Sequence, residues 1–212
     1  MIMSMETSNF GRPRRILKEG LSWFKTSRRM LREGMTWADY FKSSHTLEYI
    51  KLKKIIISDC DGILTDGNMT YDENRKRFKT YGCHDKELFN IAKDLGWEFL
   101  FVTDDKTGCD ITDRRINNSF KLHVIEANPK EREELVKKYK DNGYIVMFIG
   151  DSPSDLNAAC AANICATTDN CFEYIKPFFH YVSKYQGGHG GFADILYQLM
   201  LMDKNDLEIY KI

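Results

Sequence analysis

The chain has 212 residues, with 31 Lys and Arg against 31 Asp and Glu, and a pI near 6.9. That balance excludes a global pull toward nucleic acid or anionic membrane, and no run of about 18 apolar residues offers a spanning helix. The opening Met1-Ile2-Met3-Ser4-Met5-Glu6 does not resemble a signal peptide, and six cysteines without CxxC or zinc spacing fit a reducing, cytoplasmic compartment.

The first element, residues 1–50, is a basic helical arm with an internal repeat. Arg14-Arg15-Ile16-Leu17-Lys18-Glu19-Gly20-Leu21-Ser22-Trp23 is echoed fourteen residues later from Arg28 to Trp37. That offset is close to four helical turns. Gly20 and Gly34 read as helix stops and Ser22 and Thr36 as N-caps, with Asp39 completing a capping-box pattern. The arm carries nine Lys and Arg against five Asp and Glu. Its basic residues alternate with aromatics and suit phosphate or partner contacts. An amphipathic arm docking on the core or on another subunit is the favoured reading, ahead of nucleic-acid binding.

Residues 51–212 form the second unit. A buried strand over 54–58 runs straight into Asp59-Cys60-Asp61-Gly62-Ile63-Leu64-Thr65-Asp66-Gly67. Two carboxylates one residue apart at a strand end, followed by Gly, need a cation or donors to hold them. Mg²⁺ suits such a pair, because it binds through a few carboxylates plus water and phosphate oxygens. Residues 69–81 read as two short strands around the Asp72-Glu73-Asn74 turn.

A helix over about 85–95, a strand over 98–102, a helix near 107–118 and a strand over 121–125 follow. Next come a helix over 130–142 entered through Pro129, a strand over 144–149, a helix over 153–162 and a strand near 164–166. A turn over 171–176, a strand at 181–183 and a last helix over about 192–202 complete the series. This alternation predicts an α/β fold with a doubly wound parallel sheet and a small hairpin flap. Ligands bind beyond the carboxyl ends of such strands. Asp59, Asp61, Thr103, Lys130, Asp151 and Asp155 are therefore expected to share one crevice. Carboxylates, one ammonium and one hydroxyl are what metal-assisted phosphoryl transfer requires.

Asp-Cys-Asp-Gly-Ile-Leu-Thr-Asp-Gly resembles the first motif of the haloacid dehalogenase (HAD) superfamily, in particular its 3-deoxy-D-manno-octulosonate 8-phosphate phosphatase branch. The resemblance spans roughly residues 51 to 200. It implies Asp59 as nucleophile, Asp61 as general acid and base, Thr103 as a phosphoryl contact and Lys130 as the neutralising cation. It also implies Mg²⁺ on Asp59, Asp151 and the Asp61 carbonyl, with Asp155 supporting them. The substrate would be a small phosphorylated metabolite, by family default a sugar-acid phosphate, with Thr65, His84, Lys106 and His189 as substrate contacts. The hairpin would close a neighbour's site in a homo-oligomer, a tetramer by resemblance.

Three family arginines are absent. Cys83-His84-Asp85, Thr103-Asp104-Asp105-Lys106 and Gly187-Gly188-His189-Gly190 stand where Arg-Asp-Gly, Thr-Gly-Arg and Gly-Gly-Arg-Gly are usual. Two other readings stay open: a nucleotide or nucleic-acid-end phosphatase, and a non-catalytic HAD scaffold.

Overall fold

The computed structural model describes residues 47–202 together with Gly34, Thr36, Asp39, Lys42 and His45. A short helix α1 (Leu47–Lys51) leads into strand β1 (Lys54–Asp59). The hairpin β2 (Thr65–Tyr71) and β3 (Lys76–Tyr81) comes next, followed by α2 (Asp85–Asp94) and β4 (Trp97–Thr103). Then come α3 (Cys109–Phe120), β5 (Val124–Glu126), α4 (Pro129–Asp141) and β6 (Ile145–Ile149). The chain ends with α5 (Leu156–Ala161), β7 (Ile164–Thr167), β8 (Tyr181–Val182) and α6 (Gly191–Met200).

Six strands form one sheet in the order β5-β4-β1-β6-β7-β8, every pair parallel. All six residues of β1 are buried, as a strand covered on both faces must be. Its side chains alternate between two cores. Ile56 joins Phe89, Phe101, Phe120 and Phe192 beneath α2, α3 and α6. Ile55 and Ile57 join Val136, Ala158 and Ile175 on the face of α4 and α5. From β1 the order departs toward β4 on one side and β6 on the other. Its carboxyl end is thus the topological switch point where a ligand crevice opens.

Three expected elements shift, each for a local reason. Lys121 adopts φ 59°, so it closes α3, and β5 cannot begin until Val124. The expected helix over 153–162 divides into a tight 3₁₀ turn (Pro153–Asp155) and α5. Residues 171–176 become a 3₁₀ segment over Glu173–Phe178.

Most of the basic arm lies outside the described residues, as do residues 203–212. At its described edge, Thr36 and Asp39 form the reciprocal cap read from the sequence. The Thr36 N–H donates to Asp39 Oδ2 at 3.0 Å and the Asp39 N–H to Thr36 Oγ1 at 3.1 Å. Lys42 then pairs with Asp94 at the end of α2, 2.7 Å away. Among the described residues no helix is long and apolar enough to cross a membrane, and all six cysteines are free. Cys60 is buried, and its thiol is pushed well above its usual range by burial and then by the charges of Asp59 and Asp61.

Candidate active site and metal centre

The loop after β1 is shaped by one hydroxyl and one glycine. Thr65 Oγ1 accepts the N–H groups of Gly62 (3.1 Å) and Gly67 (3.3 Å), and donates to Asp61 Oδ1 at 3.4 Å. Thr65, expected as a substrate contact, is therefore a buried brace of the turn with its hydroxyl engaged internally. Gly62 takes φ +79°, and a Cβ there would collide with the Asp151 carboxylate. Its carbonyl accepts from Thr168 Oγ1 (3.0 Å) and Asn170 Nδ2 (3.2 Å), which ties the loop to the segment after β7. The Asp59 end of β1 is thereby pressed against the Asp151 end of β6.

Asp59, Asp151 and Asp155 each offer an oxygen within 4.8 Å of the other two. Burial, then the Asp155 charge, holds Asp59 well above the usual carboxylate range despite Arg132 beside it. Burial and Asp155 likewise push Asp151 up to about 7. Asp155 is saturated by donors. Its Oδ2 accepts the N–H groups of Asp151 (3.2 Å) and Ser152 (3.1 Å) and the Ser152 hydroxyl (2.9 Å). Its Oδ1 accepts from Arg132.

Asp155 is thus taken up by Arg132, Ser152 and backbone donors, while Asp59 and Asp151 keep oxygens for a cation. Three carboxylates facing one guanidinium leave an excess of negative charge, and these hard oxygen donors suit Mg²⁺.

The cation beside Asp59 is Arg132, not Lys130. Asn128 caps α4 through a capping box, with Pro129 at its first turn. Counting from that start, Arg132 and Val136 share the inward stripe, and Lys130 points outward. Lys130 is 84% exposed and pairs with Glu134 at 3.7 Å. Arg132 is buried, donates from Nε to the Ala127 carbonyl at 2.9 Å, and lies 3.3 Å from Asp59 Oδ1. In sequence, Arg132 is hidden in the charge run Lys-Glu-Arg-Glu-Glu, and its only signal is the four-residue spacing to Val136.

Across the crevice, Asp61 meets Lys79 of the hairpin, Nζ to Oδ2 2.9 Å. Lys79 also reaches Asp105 (2.8 Å) and Thr112 Oγ1 (2.7 Å), and Lys76 pairs with the same Asp105. Burial would raise the Asp105 carboxyl, but hydrogen bonds from Lys76 and Lys79 prevail and hold it well below its ordinary value. Asp105 therefore faces inward as a partner for hairpin lysines.

Thr103 is buried at the end of β4, one residue past the Val102–Asp59 pairing. Its Oγ1 accepts the Asp105 N–H at 3.1 Å, which leaves its own proton free to donate. His84, Lys106 and His189 are all exposed. The Gly187–Gly188 loop packs against Gly62 and Thr65 on one side and against Gly82 on the other. The segments bearing His84 and His189 therefore adjoin beside the first-motif loop. Lys106 lies on the loop after β4.

Replacing Arg132 by Met leaves buried carboxylates unpaired and is expected to cost about 3–5 kcal/mol of stability. Lys130→Ala is expected to stay within about 0.5 kcal/mol of the parent. Urea unfolding separates the two, and equal losses would contradict this placement.

No family model matches the sequence. The 3-deoxy-D-manno-octulosonate 8-phosphate phosphatase of Haemophilus influenzae is 29% identical over 151 residues, 67% of this chain and 79% of that protein. A cobalt-bound structure of the Haemophilus influenzae deoxy-D-mannose-octulosonate 8-phosphate phosphatase superposes with TM-score 0.62 at 24% identity. It covers 72% of this chain and 90% of that one. The Moraxella catarrhalis 3-deoxy-D-manno-octulosonate 8-phosphate phosphatase, in complex with magnesium, phosphate and a KDO molecule, gives TM-score 0.64 at 23% identity. It covers 76% of this chain and 94% of that one. In motif order, in fold and in sequence, this chain is similar to haloacid dehalogenase phosphatases of the 3-deoxy-D-manno-octulosonate 8-phosphate branch.

Proposed function

We propose that this chain is a Mg²⁺-dependent phosphomonoester hydrolase that acts on a sugar-acid phosphate through an aspartyl-phosphate on Asp59. The observation that carries the reading is the meeting of the buried Asp59 and the partly buried Asp151, with oxygens within 4.8 Å of each other and of Asp155, at the switch point of the sheet. Asp59, Asp151 and the Asp61 carbonyl would hold Mg²⁺, which supplies Lewis-acid and orienting chemistry when bound.

In the first half-reaction, Asp59 Oδ forms the bond to phosphorus as the alkoxide departs, and Asp61 delivers the proton that the alkoxide needs. In the second half-reaction, Asp61 takes a proton from water as the water oxygen attacks phosphorus, and the Asp59 carboxylate is released. Arg132 offsets charge on Asp59, and the free proton of Thr103 serves a phosphoryl oxygen.

The sugar-acid leaving group is supported by the likeness to the octulosonate phosphatases. His84, Lys106 and His189 are the polar side chains offered to it. A groove of about 450 Å³ opens between the hairpin and α3 rather than over Asp59, lined by Arg75, Arg77, Arg114 and Arg115. It adds guanidinium groups suited to a carboxylate. A homo-oligomer belongs to the same reading. The hairpin exposes Met69, Tyr71 and Phe78, the last 69% accessible, and a crevice without a cap domain needs a cover to exclude water.

Phosphate release in Mg²⁺ across sugar-acid phosphates, hexose phosphates, nucleotides and phosphorylated oligonucleotides tests the function. Asp59→Asn is expected to lower turnover by more than about a thousandfold with the fold intact, and parental rates in that variant would sink the mechanism. Because burial and the Asp155 charge push the Asp151 carboxyl up to about 7, a cation must displace its proton at lower pH. Mg²⁺ affinity should therefore tighten by at least about fivefold from pH 6 to pH 7 and go on rising above, because the Asp59 carboxyl is held up as well. Titration calorimetry at these pH values reads this directly, and a flat profile would contradict it.

A further inference from the structure

The hairpin is more than a cover, because it reaches the acid–base carboxylate of the crevice directly. Tyr71 pairs with Lys76 and Thr70 with Phe78, so Arg77 is an extra residue on β3. Such a bulge resets the alternation of the strand. Lys76 and Lys79, three apart in sequence, consequently both face the core while Phe78 faces out. The Lys79 side chain has no accessible surface, yet its ammonium meets three acceptors: Asp61 Oδ2 (2.9 Å), Asp105 Oδ2 (2.8 Å) and Thr112 Oγ1 (2.7 Å). Asp105 is fixed in turn by Lys76, by the Gly108 N–H at 3.1 Å and by the Thr107 hydroxyl at 2.9 Å. An ammonium donates three protons, and here each has a fixed acceptor.

We infer that Lys79, itself anchored to Asp105 and to Thr112 of α3, is a positioning residue for Asp61, aiming its carboxylate so that proton delivery to the leaving group depends on how the hairpin is seated. The inference rests on the phosphatase reading above and adds to it a residue outside the motif loops. The carboxyl is held at both ends, Oδ2 by Lys79 and Oδ1 by the Thr65 hydroxyl, so the proton passed to the leaving alkoxide is carried on Oδ1, the oxygen away from the ammonium. Without Lys79 only the longer bond, 3.4 Å, would remain to aim it. A misaimed general acid penalises a poor leaving group and spares a good one.

The test compares Lys79→Met with the parent on phenyl phosphate and p-nitrophenyl phosphate. The phenolate needs a proton as it departs far more than the nitrophenolate does. The quantity read is kcat/KM, which reports phosphoryl transfer to Asp59 and not the later hydrolysis. On phenyl phosphate kcat/KM should fall about a hundredfold, the lower end of general-acid contributions. On p-nitrophenyl phosphate it should fall less than about fivefold, with KM little changed on either.

Asp105→Asn, which keeps the shape and removes one anchor of Lys79, should shift the ratio the same way by a smaller factor. It decides the matter if Lys79→Met does not fold. Equal losses on the two substrates, in whichever variant folds, would mean that Lys79 only holds the hairpin down and would overturn the inference. A parent that releases phosphate from neither of these nor from any sugar-acid phosphate would bring down the phosphatase reading itself, and the positioning role with it.

Discussion

The molecule is organised around surplus negative charge at one end of its central strand. Asp59, Asp151 and Asp155 are brought together where water cannot fully solvate them, against a single guanidinium from Arg132. Leaving such a cluster unbalanced costs several kcal/mol per charge, so the surrounding structure is built to hold it. Asp155 accepts two backbone N–H groups and a hydroxyl, Gly62 gives up its side chain to admit Asp151, and α4 is capped in the register that turns Arg132 inward. What remains uncompensated is what a divalent cation and a phosphoryl group together would meet.

The hairpin extends the same electrostatic logic to the open side. Its bulge brings two lysines inward against Asp61 and Asp105. Asp105 belongs to this arrangement, since a cationic side chain in its place would face two buried ammonium groups. The exposed His84, Lys106 and His189, and the arginines of the groove between the hairpin and α3, are the side chains we propose for leaving-group contacts.

Much of this was legible in the sequence. Buried strands read as apolar runs ending in Asp or Thr, and their order alone predicted a parallel sheet with Asp59, Thr103 and Asp151 at one edge. The Thr36–Asp39 cap was legible for the same reason, because its bonds are local. What the sequence hid depends on phase. Lys130 and Arg132 differ by two positions on one helix, and only the capped start at Asn128 decides which faces inward. Lys76 and Lys79 could not both be assigned inward by simple alternation, because the bulge at Arg77 that permits it leaves no compositional mark. Thr65, expected as a substrate contact, is occupied by two N–H groups of its own turn.

The central claim is that Asp59 forms a bond to phosphorus. It is tested most directly by quenching the enzyme in acid during turnover of p-nitrophenyl phosphate with Mg²⁺, reducing with borohydride, and sequencing the peptide around position 59 by mass spectrometry. An aspartyl-phosphate is reduced to homoserine, so the account predicts homoserine at position 59 only when substrate and Mg²⁺ are both present. An unmodified Asp59 in an enzyme shown to be turning over would mean that water attacks phosphorus directly, and would contradict it.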